Sequence, residues 1–248
     1  MSGAALRVVI AGSNGKMGRA LAEAVAGDAA LALAASFDVG DDAAKAVAAG
    51  DVVIDFTRPE GTLAHLPHCL KLGKTMVIGT TGFSESQKQT IAGAARSIPI
   101  VLAPNFAVGV NVVFKLAETA ARILGEGYDV EIIEAHHRHK VDAPSGTAMR
   151  LGEIISACRG GNLKQAARHG RQGDVGARPT GEIGFHAIRG GDIVGEHTVV
   201  FAGTGERVEI TVRSQSRATY AIGALRAAKF LKGRKAGLYD MADVLGLK

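Results

Sequence analysis

The sequence predicts an α/β protein, with a Rossmann-type doubly wound parallel sheet and a second, α+β domain built on a mixed, mostly antiparallel sheet. Three observations predict this fold class. Apolar segments alternate with helical patterns over about the first 105 residues, a glycine-rich turn joins the first two segments, and later strand-like segments follow one another without helices. The 248 residues are enough for two domains, which we place at residues 1–105 with 217–248 and at residues 106–216.

The first half of the chain shows a regular alternation of strand-like and helix-like segments. Residues 6–11 are an apolar, β-branched run, and a helical pattern extends from the following turn to Val25. We predict further strands at residues 31–37, 51–56, 75–78 and 98–102, and helices at about 59–72 and 84–96. Such an alternation implies a parallel sheet with right-handed crossovers, in which ligands bind beyond the carboxyl ends of the strands.

The turn after the first strand has the sequence GSNGKMG, with glycines at Gly12, Gly15 and Gly18. Asn14 stands where the G-x-G-x-x-G pattern has its second glycine, and asparagine accepts the left-handed conformation better than most residues. Glycines let the backbone approach a pyrophosphate, whose charge the helix N-terminus stabilises. Glycine-rich turns also occur for purely structural reasons. The strand before this turn and the helix after it are what favour a dinucleotide-binding turn.

Asp38 ends the second predicted strand, twenty residues after Gly18. A carboxylate at this position accepts hydrogen bonds from the adenosine ribose of a dinucleotide and disfavours a 2′-phosphate. The alternative is an ordinary loop aspartate, because Asp41 and Asp42 follow closely.

Three more loops follow predicted strands at the same sheet edge. Their Gly, Thr and Asn residues are suited to a nicotinamide ribose and carboxamide, although the first loop is also compatible with simple helix capping. The loops are DFTRPEG (55–61), GTTGF (79–83) and APNF (103–106).

The second half of the chain has a different pattern. We predict a linking helix at 108–124 and strands at 128–136, 182–188, 193–201 and 207–212. The last three strands are joined by Gly-rich turns, which favours a mostly antiparallel sheet whose buried face is covered by another subunit or by helices of this chain. Residues 159–179 look like a long mobile loop, either a lid or disorder. Residues 217–231 are helical and, with 239–245, are expected to return to the first domain.

The run EAHHRHKVDAPSGTA, residues 134–148, is suited to a small dianion. Arg138 and Lys140 supply fixed positive charge, and the backbone N–H groups of Gly146 and Thr147 open a predicted helix where its dipole is positive. Three histidines titrate near neutrality, so proton transfer can accompany binding. They are His136, His137 and His139. The alternative is a solvated, charged strand that leads into a Ser-capped helix.

Charge and composition restrict the class of ligand. The formal charge is +5, and residues 136–171 account for it, with seven Lys or Arg against Asp142 and Glu153. This excess favours an anionic ligand, either a small acid or nucleic acid. Aromatic residues are only 4% and do not alternate with basic ones, which weakens the case for nucleic acid. No apolar run indicates a membrane span, and the isolated Cys69 and Cys158 are typical of a reduced, cytoplasmic protein.

Six segments together resemble the dihydrodipicolinate reductase family over almost the entire chain. They are GxxGxMG, DFTRPEGT, MVIGTTGF, NFAVGVNV, EIIEAHHRHKVDAPSGTA and GDIVGEHTVVFAGTGERVEITVRSQSR. The resemblance implies hydride transfer from NAD(P)H to a cyclic, unsaturated imine dicarboxylate in diaminopimelate and lysine biosynthesis. It also implies loss of water from a hydroxylated substrate and a homotetramer, with residues 106–216 serving substrate binding and oligomerisation.

The resemblance also assigns roles to individual residues. His136 matches the family's proposed proton donor or acceptor, Lys140 matches its proton donor, and Asp38 matches its ribose ligand. The expected substrate contacts are His137, Arg138, Ser145, Gly146 and Thr147. The expected pyrophosphate contacts are Gly12, Ser13, Asn14, Gly15, Lys16 and Met17. The expected contacts of the nicotinamide half are Phe56, Gly79, Thr80, Thr81, Ala103, Pro104, Asn105 and Phe106.

One departure from the family pattern concerns the cofactor. Many relatives carry a basic residue after the ribose-binding acid, where this chain has Val39, so the 2′-phosphate of NADPH loses a partner. We therefore predict a preference for NADH over NADPH. The alternative is that Lys16 contacts that phosphate, which would let the protein use both NADH and NADPH.

Three other classes of protein compete with this interpretation. A metal-dependent hydrolase would use His137 and His139, with His65 and His68, but no third ligand is evident, and we expect no metal. A nucleotide-sensing nucleic-acid-binding protein would explain the basic charge but lacks a recognition helix. A semialdehyde dehydrogenase needs a nucleophilic cysteine, and both cysteines are predicted to pack in helices.

Overall fold

The computed structural model describes residues 4–248, and the chain separates into two compact units. The first consists of the chain up to Val108 together with Arg217–Lys248, and the second is Gly109–Ser216. The first unit is therefore built from two separate segments of the chain. None of the helices in residues 4–248 is both long and apolar enough to cross a membrane.

The bounds of the strands and helices follow in chain order. The strands are β1 (Leu6–Ala11), β2 (Leu31–Phe37), β3 (Val52–Asp55), β4 (Thr75–Ile78), β5 (Pro99–Leu102), β6 (Asp129–His136), β7 (Ala167–His169), β8 (Ile183–Arg189), β9 (Gly195–Ala202), β10 (Arg207–Ser214) and β11 (Gly237–Tyr239). The helices are α1 (Lys16–Ala26), α2 (Ala43–Ala49), α3 (Pro59–Leu72), α4 (Glu85–Ala94), α5 (Val108–Leu124), α6 (Gly146–Cys158), α7 (Leu163–Ala166), α8 (Ala218–Leu231) and α9 (Met241–Leu245). A short 3₁₀ turn, Gly125–Gly127, follows α5.

The first unit is a doubly wound, parallel sheet with the strand order β11-β5-β4-β3-β1-β2. One core cluster packs α1, α8 and α9 against the sheet through side chains such as Leu21, Leu225 and Val244. A second cluster packs α2, α3 and α4 against it, with Val47, Leu66 and Ile91. The predicted Rossmann-type sheet is therefore confirmed.

Two elements of this unit were not predicted. Helix α2 is alanine-rich and buries only Ala46 and Val47, so its sequence shows no apolar periodicity. Its N-cap, Asp42, accepts from the Lys45 N–H, but the sequence placed this aspartate in a loop. Strand β11 has three residues and pairs in parallel with β5, far earlier in the chain. Local sequence patterns do not report such a long-range pairing.

The second unit is a mixed sheet with the strand order β10-β9-β6-β8-β7. Strand β9 is antiparallel to β6 and β10, whereas β8 is parallel to β6 and β7. A mixed sheet was predicted, but the parallel share is larger than expected because β6 lies between β8 and β9. Helices α5 and α6 cover one face through Val113, Ala117, Leu151 and Ile155.

Residues 159–179 do not form the structureless loop expected from their composition. They contain α7 and β7, and the segment after β7 is attached to the sheet by ion pairs with Glu131. Arg171 Nη2 lies 2.8 Å from Glu131 Oε1, Arg178 Nε lies 3.0 Å from the same oxygen, and His186 Nε2 lies 2.7 Å from Oε2. Burial alone would raise the pKa of Glu131, but hydrogen bonds from Arg171, His186 and Arg178 lower it to about 2.

Candidate active site

The glycine-rich turn makes a sharp connection between β1 and α1. Gly12 has φ 74°, a left-handed conformation, whereas no non-glycine residue in 4–248 has a positive φ. Asn14 therefore does not use the left-handed conformation that asparagine tolerates. A Cβ at Gly18 would lie 2.3 Å from the Gly12 carbonyl oxygen, so only glycine fits there. No side chain caps the start of α1 at Gly15, which leaves that end of the helix suited to a pyrophosphate.

Asp38 is joined directly to this turn. Its Oδ2 accepts the Asn14 N–H at 2.8 Å, and its Oδ1 accepts the Val39 N–H at 2.8 Å. These backbone hydrogen bonds lower the pKa of Asp38, which keeps its carboxylate ionised. Val39 is fully exposed and makes no packing contact that restricts its identity.

A buried carboxylate holds the loops that follow β3 and β4. Asp55 is fully buried, and its Oδ1 accepts the Thr57 N–H at 2.9 Å, the Thr57 hydroxyl at 2.6 Å and the Thr80 hydroxyl at 3.3 Å. The Thr62 hydroxyl donates to that of Thr80, and His65 Nδ1 lies 2.8 Å from Asp55 Oδ2. Burial alone would raise the pKa of Asp55, but the His65 and Thr57 hydrogen bonds outweigh it and lower the pKa.

The remaining predicted nicotinamide contacts lie in the same unit. A Cβ at Gly79 would come within 2.1 Å of the Phe56 ring, so this glycine permits the ring to lie across the loop after β4. The rings of Phe56 and Phe106 lie 5.3 Å apart, and Asn105 Oδ1 accepts the Ala107 N–H at 2.8 Å. Buried members of this set are Thr80, Ala103 and Phe106, and exposed members are Thr81 and Pro104.

In the second unit, the predicted substrate segment is organised around Glu134. Its side chain is fully buried at the end of β6 and accepts hydrogen bonds from three parts of the chain. Arg189 donates to both carboxylate oxygens at 2.7 and 2.8 Å, the Ser145 N–H donates at 3.1 Å, and His136 Nδ1 lies 2.6 Å from Oε2. Burial alone would raise the pKa of Glu134, but the Arg189 and His136 hydrogen bonds lower it.

Two buried histidines lie side by side in this cluster. The rings of His136 and His197 are 5.1 Å apart, and His197 Nε2 lies 2.9 Å from the Ser145 hydroxyl. Burial lowers the pKa of His136 despite the opposing pull of Glu134. Burial is the main cause that lowers the pKa of His197 to about 4, and the charge of Lys140 acts in the same direction. Both rings are therefore neutral at neutral pH.

The loop after β6 presents the charged residues of the predicted site. Lys140 Nζ lies 2.8 and 2.9 Å from the two oxygens of Asp142, whose carbonyl accepts from Arg189 at 2.8 Å. His137 Nδ1 is buried and has no hydrogen-bond partner among residues 4–248. Arg138 and His139 are exposed. His137 is thus the group in this loop whose buried polar atom would gain most from a ligand.

Helix α6 begins beside this loop. The Ser145 hydroxyl accepts the Ala148 N–H at 3.2 Å, so Ser145 is its N-cap. Gly146 is the first helical residue and is exposed, and Thr147 is half-buried. The backbone at the start of α6 therefore faces the solvent side of the cluster.

Two observations concern the histidines and the cysteine named for the competing classes. Within residues 4–248, His, Cys, Asp and Glu side chains form no group of three that could hold a metal ion, and His65 is paired with Asp55. Cys69 is fully buried, and burial raises the pKa of its thiol to about 12, which is unsuited to a nucleophile.

Comparison with known proteins decides the family. The family model described as dihydrodipicolinate reductase, N-terminus, matches residues 6–106, and the model described as dihydrodipicolinate reductase, C-terminus, matches residues 109–245. The chain belongs to the dihydrodipicolinate reductase family. The predicted resemblance is confirmed. The two models meet close to the boundary between the units at Val108, but the C-terminal model also includes residues 217–245, which fold with the first unit.

Relatives and a solved structure of the dihydrodipicolinate reductase family agree. The 4-hydroxy-tetrahydrodipicolinate reductase of Aromatoleum aromaticum is 57% identical, with 98% of this chain and 96% of the relative covered. That of Dechloromonas aromatica is 54% identical, with 98% and 99% covered. The dipicolinate-bound dihydrodipicolinate reductase of Paenisporosarcina sp. TG-14 is 27% identical, with a TM-score of 0.77 and 96% and 98% of the two chains covered.

Sequence reasoning missed three members of this cluster. They are Glu134, Arg189 and His197. Strand periodicity contained a signal, because Glu134 falls on the same face of β6 as the buried Val130 and Ile132. The sheet register then pairs Glu134 with His197 and His136 with Arg189, which no local pattern reveals.

Proposed function

We propose that this chain is a 4-hydroxy-tetrahydrodipicolinate reductase that uses NAD(P)H to reduce a cyclic imine dicarboxylate to tetrahydrodipicolinate. Its family membership supports the reaction, and its own residues supply the chemistry. The observation that carries the proposal is the cluster at the end of β6. The buried Glu134 carboxylate contacts His136 and accepts from the Ser145 N–H at the start of α6, and Lys140, paired with Asp142, lies in the loop that follows the strand. Such a cluster suits a doubly charged substrate that must receive a proton.

The first unit fits a dinucleotide. Gly12 and Gly15 bring the backbone and the uncapped start of α1 to the position of a pyrophosphate, and Asp38 offers an ionised carboxylate to the ribose hydroxyls. We assign Phe56, Gly79 and the 103–106 loop to the nicotinamide half, as the family resemblance implies. When bound, the reduced nicotinamide supplies the hydride for the reaction.

The substrate carboxylates are proposed to bind at the loop after β6 and the start of α6. His137 Nδ1 is a buried polar atom whose missing partner a carboxylate oxygen would supply, provided that this nitrogen carries the proton. Gly146 places a backbone N–H at the positive end of α6, and Arg138 adds exposed positive charge. The dipicolinate in the relative's structure is a planar dicarboxylate of the same class.

Lys140 is our proposed proton donor. Asp142 holds its ammonium in a fixed position, and a donor must be charged before transfer. His136 is less suited to donate, because burial lowers its pKa and leaves the ring neutral. The product therefore receives its proton from Lys140, while His136 orients the groups around it.

We propose that NADH is preferred over NADPH. Asp38 is ionised next to the ribose position, and the exposed Val39 offers no charge to a 2′-phosphate. Lys16, at the start of α1, is the remaining basic residue that is a candidate to contact a 2′-phosphate. Steady-state kinetics with both cofactors test this point, and a higher kcat/KM with NADPH would overturn it.

The assembly proposed for the protein follows the family resemblance, and its proposed location follows from the isolated cysteines. We propose a homotetramer in the cytoplasm, formed through the second unit. Exposed apolar side chains on its strands, Ile188 and Val208, agree with a surface that another copy covers. Light scattering on the purified protein measures the assembly directly, and a monomer would contradict it.

The experiment that tests the reaction follows NADH oxidation with freshly generated 4-hydroxy-tetrahydrodipicolinate. Oxidation should require the substrate, and Lys140→Ala should lower kcat by roughly 10²–10⁴-fold, the usual contribution of a general acid, without changing NADH affinity. Lys115→Ala is the matched control, because Lys115 forms a similar pair with Glu118 on α5. A folded wild-type protein that oxidises neither cofactor with this substrate would refute the proposal.

A further inference from the structure

The carboxylate of Glu134 determines where protons lie in its surroundings. An ionised carboxylate only accepts hydrogen bonds, so each group within hydrogen-bond distance of it must carry a hydrogen. His136 Nδ1 is 2.6 Å from Oε2, and Arg189 and the Ser145 N–H occupy further acceptor positions. Arg189 donates to both carboxylate oxygens and balances their charge, so Glu134 stays ionised.

This contact fixes the tautomer of His136. A neutral imidazole has a single N–H, and the contact with Glu134 places it on Nδ1, which leaves a lone pair on Nε2. Charged or titratable groups face this ring from four segments: Glu134 on β6, Arg189 on β8, His197 on β9 and Lys140 in the loop. Burial and the positive charges of Lys140 and Arg189 lower the pKa of His136. They outweigh Glu134, which raises it, so the ring stays neutral.

Resting on the function proposed above, we propose that Glu134, held by Arg189, is a positioning residue. It fixes His136 as the Nδ1–H tautomer, with Nε2 as a hydrogen-bond acceptor, and ties this ring to the start of α6 through the Ser145 N–H. The proton donor of the reaction is then Lys140 and not His136.

The same carboxylate also reaches Lys140 through Arg189. Arg189 donates to the Asp142 carbonyl at 2.8 Å, and the Asp142 side chain accepts from Lys140. Glu134 therefore supports His136 and the proposed proton donor Lys140, as well as the proposed carboxylate-binding backbone. A residue with these contacts controls the orientation of the site without touching the substrate.

The tautomer is measurable in the unmodified protein. In protein labelled with ¹⁵N-histidine, long-range ¹H–¹⁵N spectra at pH 7.5 should show His136 as a neutral Nδ1–H ring, with the signal assigned by its loss in His136→Asn. A neutral Nε2–H ring or a charged ring at that pH would overturn the proposal. This readout needs no turnover, so it stands apart from failure of the proposed reaction.

Variants then test the role of Glu134 in turnover. Glu134→Gln should lower kcat on the order of 10–10²-fold, leave the KM for NADH unchanged and mix the two His136 tautomers. The matched control is Glu131→Gln, which removes a carboxylate from the same strand that also binds two arginines and a histidine. A control that changes the His136 signal equally, or a Glu134→Gln protein with wild-type kcat, would refute the positioning role.

Arg189→Lys covers the case in which Glu134→Gln fails to fold. The lysine retains the positive charge but loses the paired hydrogen bonds of the guanidinium. We expect kcat to fall while the His136 ring stays neutral with Nδ1–H, because Glu134 is still ionised. A wild-type kcat for Arg189→Lys would show that the paired geometry has no role.

Discussion

At the scale of single residues, Gly146 offers the sharpest test of the proposed carboxylate site. It is the first residue of α6, and Ser145 before it has ψ 155°, a conformation that a following proline accepts. Gly146→Pro therefore removes one N–H donor at little cost to folding. The KM for the dicarboxylate substrate should rise roughly 10-fold, because a hydrogen bond to a charged group contributes about 1.5–3 kcal/mol.

Gly146→Ala provides the control for this prediction. It retains the N–H, and a Cβ at this position meets no atom within 4 Å, so its KM should stay near that of the wild type. Equal KM values for the proline and alanine variants would show that this N–H does not bind the substrate.

The residues of the site were predicted unevenly from the sequence. The 134–148 segment is contiguous, so its lysine, histidines and capping serine were recognisable as a group. Arg189 and His197 lie far outside this segment in the sequence and join Glu134 only through the register of the sheet. Asp55 was missed for a different reason. It ends an apolar strand, and the sequence alone does not reveal whether a polar residue at that position is buried.

At the scale of elements, the attachment of the segment after β7 is open to test. Glu131→Gln should speed hydrogen exchange in residues 170–182, because the amide replaces a carboxylate that accepts from Arg171, Arg178 and His186. Hydrogen exchange read by mass spectrometry measures this. Glu153→Gln, which removes an exposed partner of Arg150, should leave the segment unchanged.

Acid should have the same effect on this segment. The folded pKa of Glu131 is about 2, below the usual value of 4.5, so its stabilising contribution is complete above about pH 4.5 and is lost as the pH falls towards 2. Protection of residues 170–182 that is unaffected by Glu131→Gln would show that other contacts hold the segment.

Elements with a strong local pattern were predicted, and those defined by distant pairing were not. The strands β1 to β5 are short apolar runs between helices, which local periodicity detects. Strand β7 has three residues in a polar region and exists because it pairs with β8. The insertion of β6 between β8 and β9 depends on the whole sheet, so the order of neighbouring segments did not reveal it.

At the scale of the whole molecule, the buried histidines predict how stability depends on pH. His197 has a folded pKa of about 4 and an ordinary value of 6.5, and burial also lowers the pKa of His136. The unfolded chain therefore binds more protons in this range, so the free energy of unfolding should fall as the pH drops from about 6.5 to 4. Thermal unfolding across this range measures the slope.

His197→Gln should reduce that slope, because it removes one of the two buried titrating rings while keeping a polar group near Ser145. A surface histidine, His139, serves as the control, and His139→Gln should leave the slope unchanged. Identical slopes for His197→Gln and the wild type would assign the acid sensitivity to other groups.

The hydrogen bonds of Asp55 restrict how this protein can be engineered. One carboxylate collects donors from the stretch after β3, from α3 and from the loop after β4. Removing one partner of a buried charge costs about 3–5 kcal/mol, so changing the length of any of these stretches alone would leave that charge poorly paired. A chimera that imports one such loop from a homologue should therefore transfer Thr57, Thr62, His65 and Thr80 with it as a block.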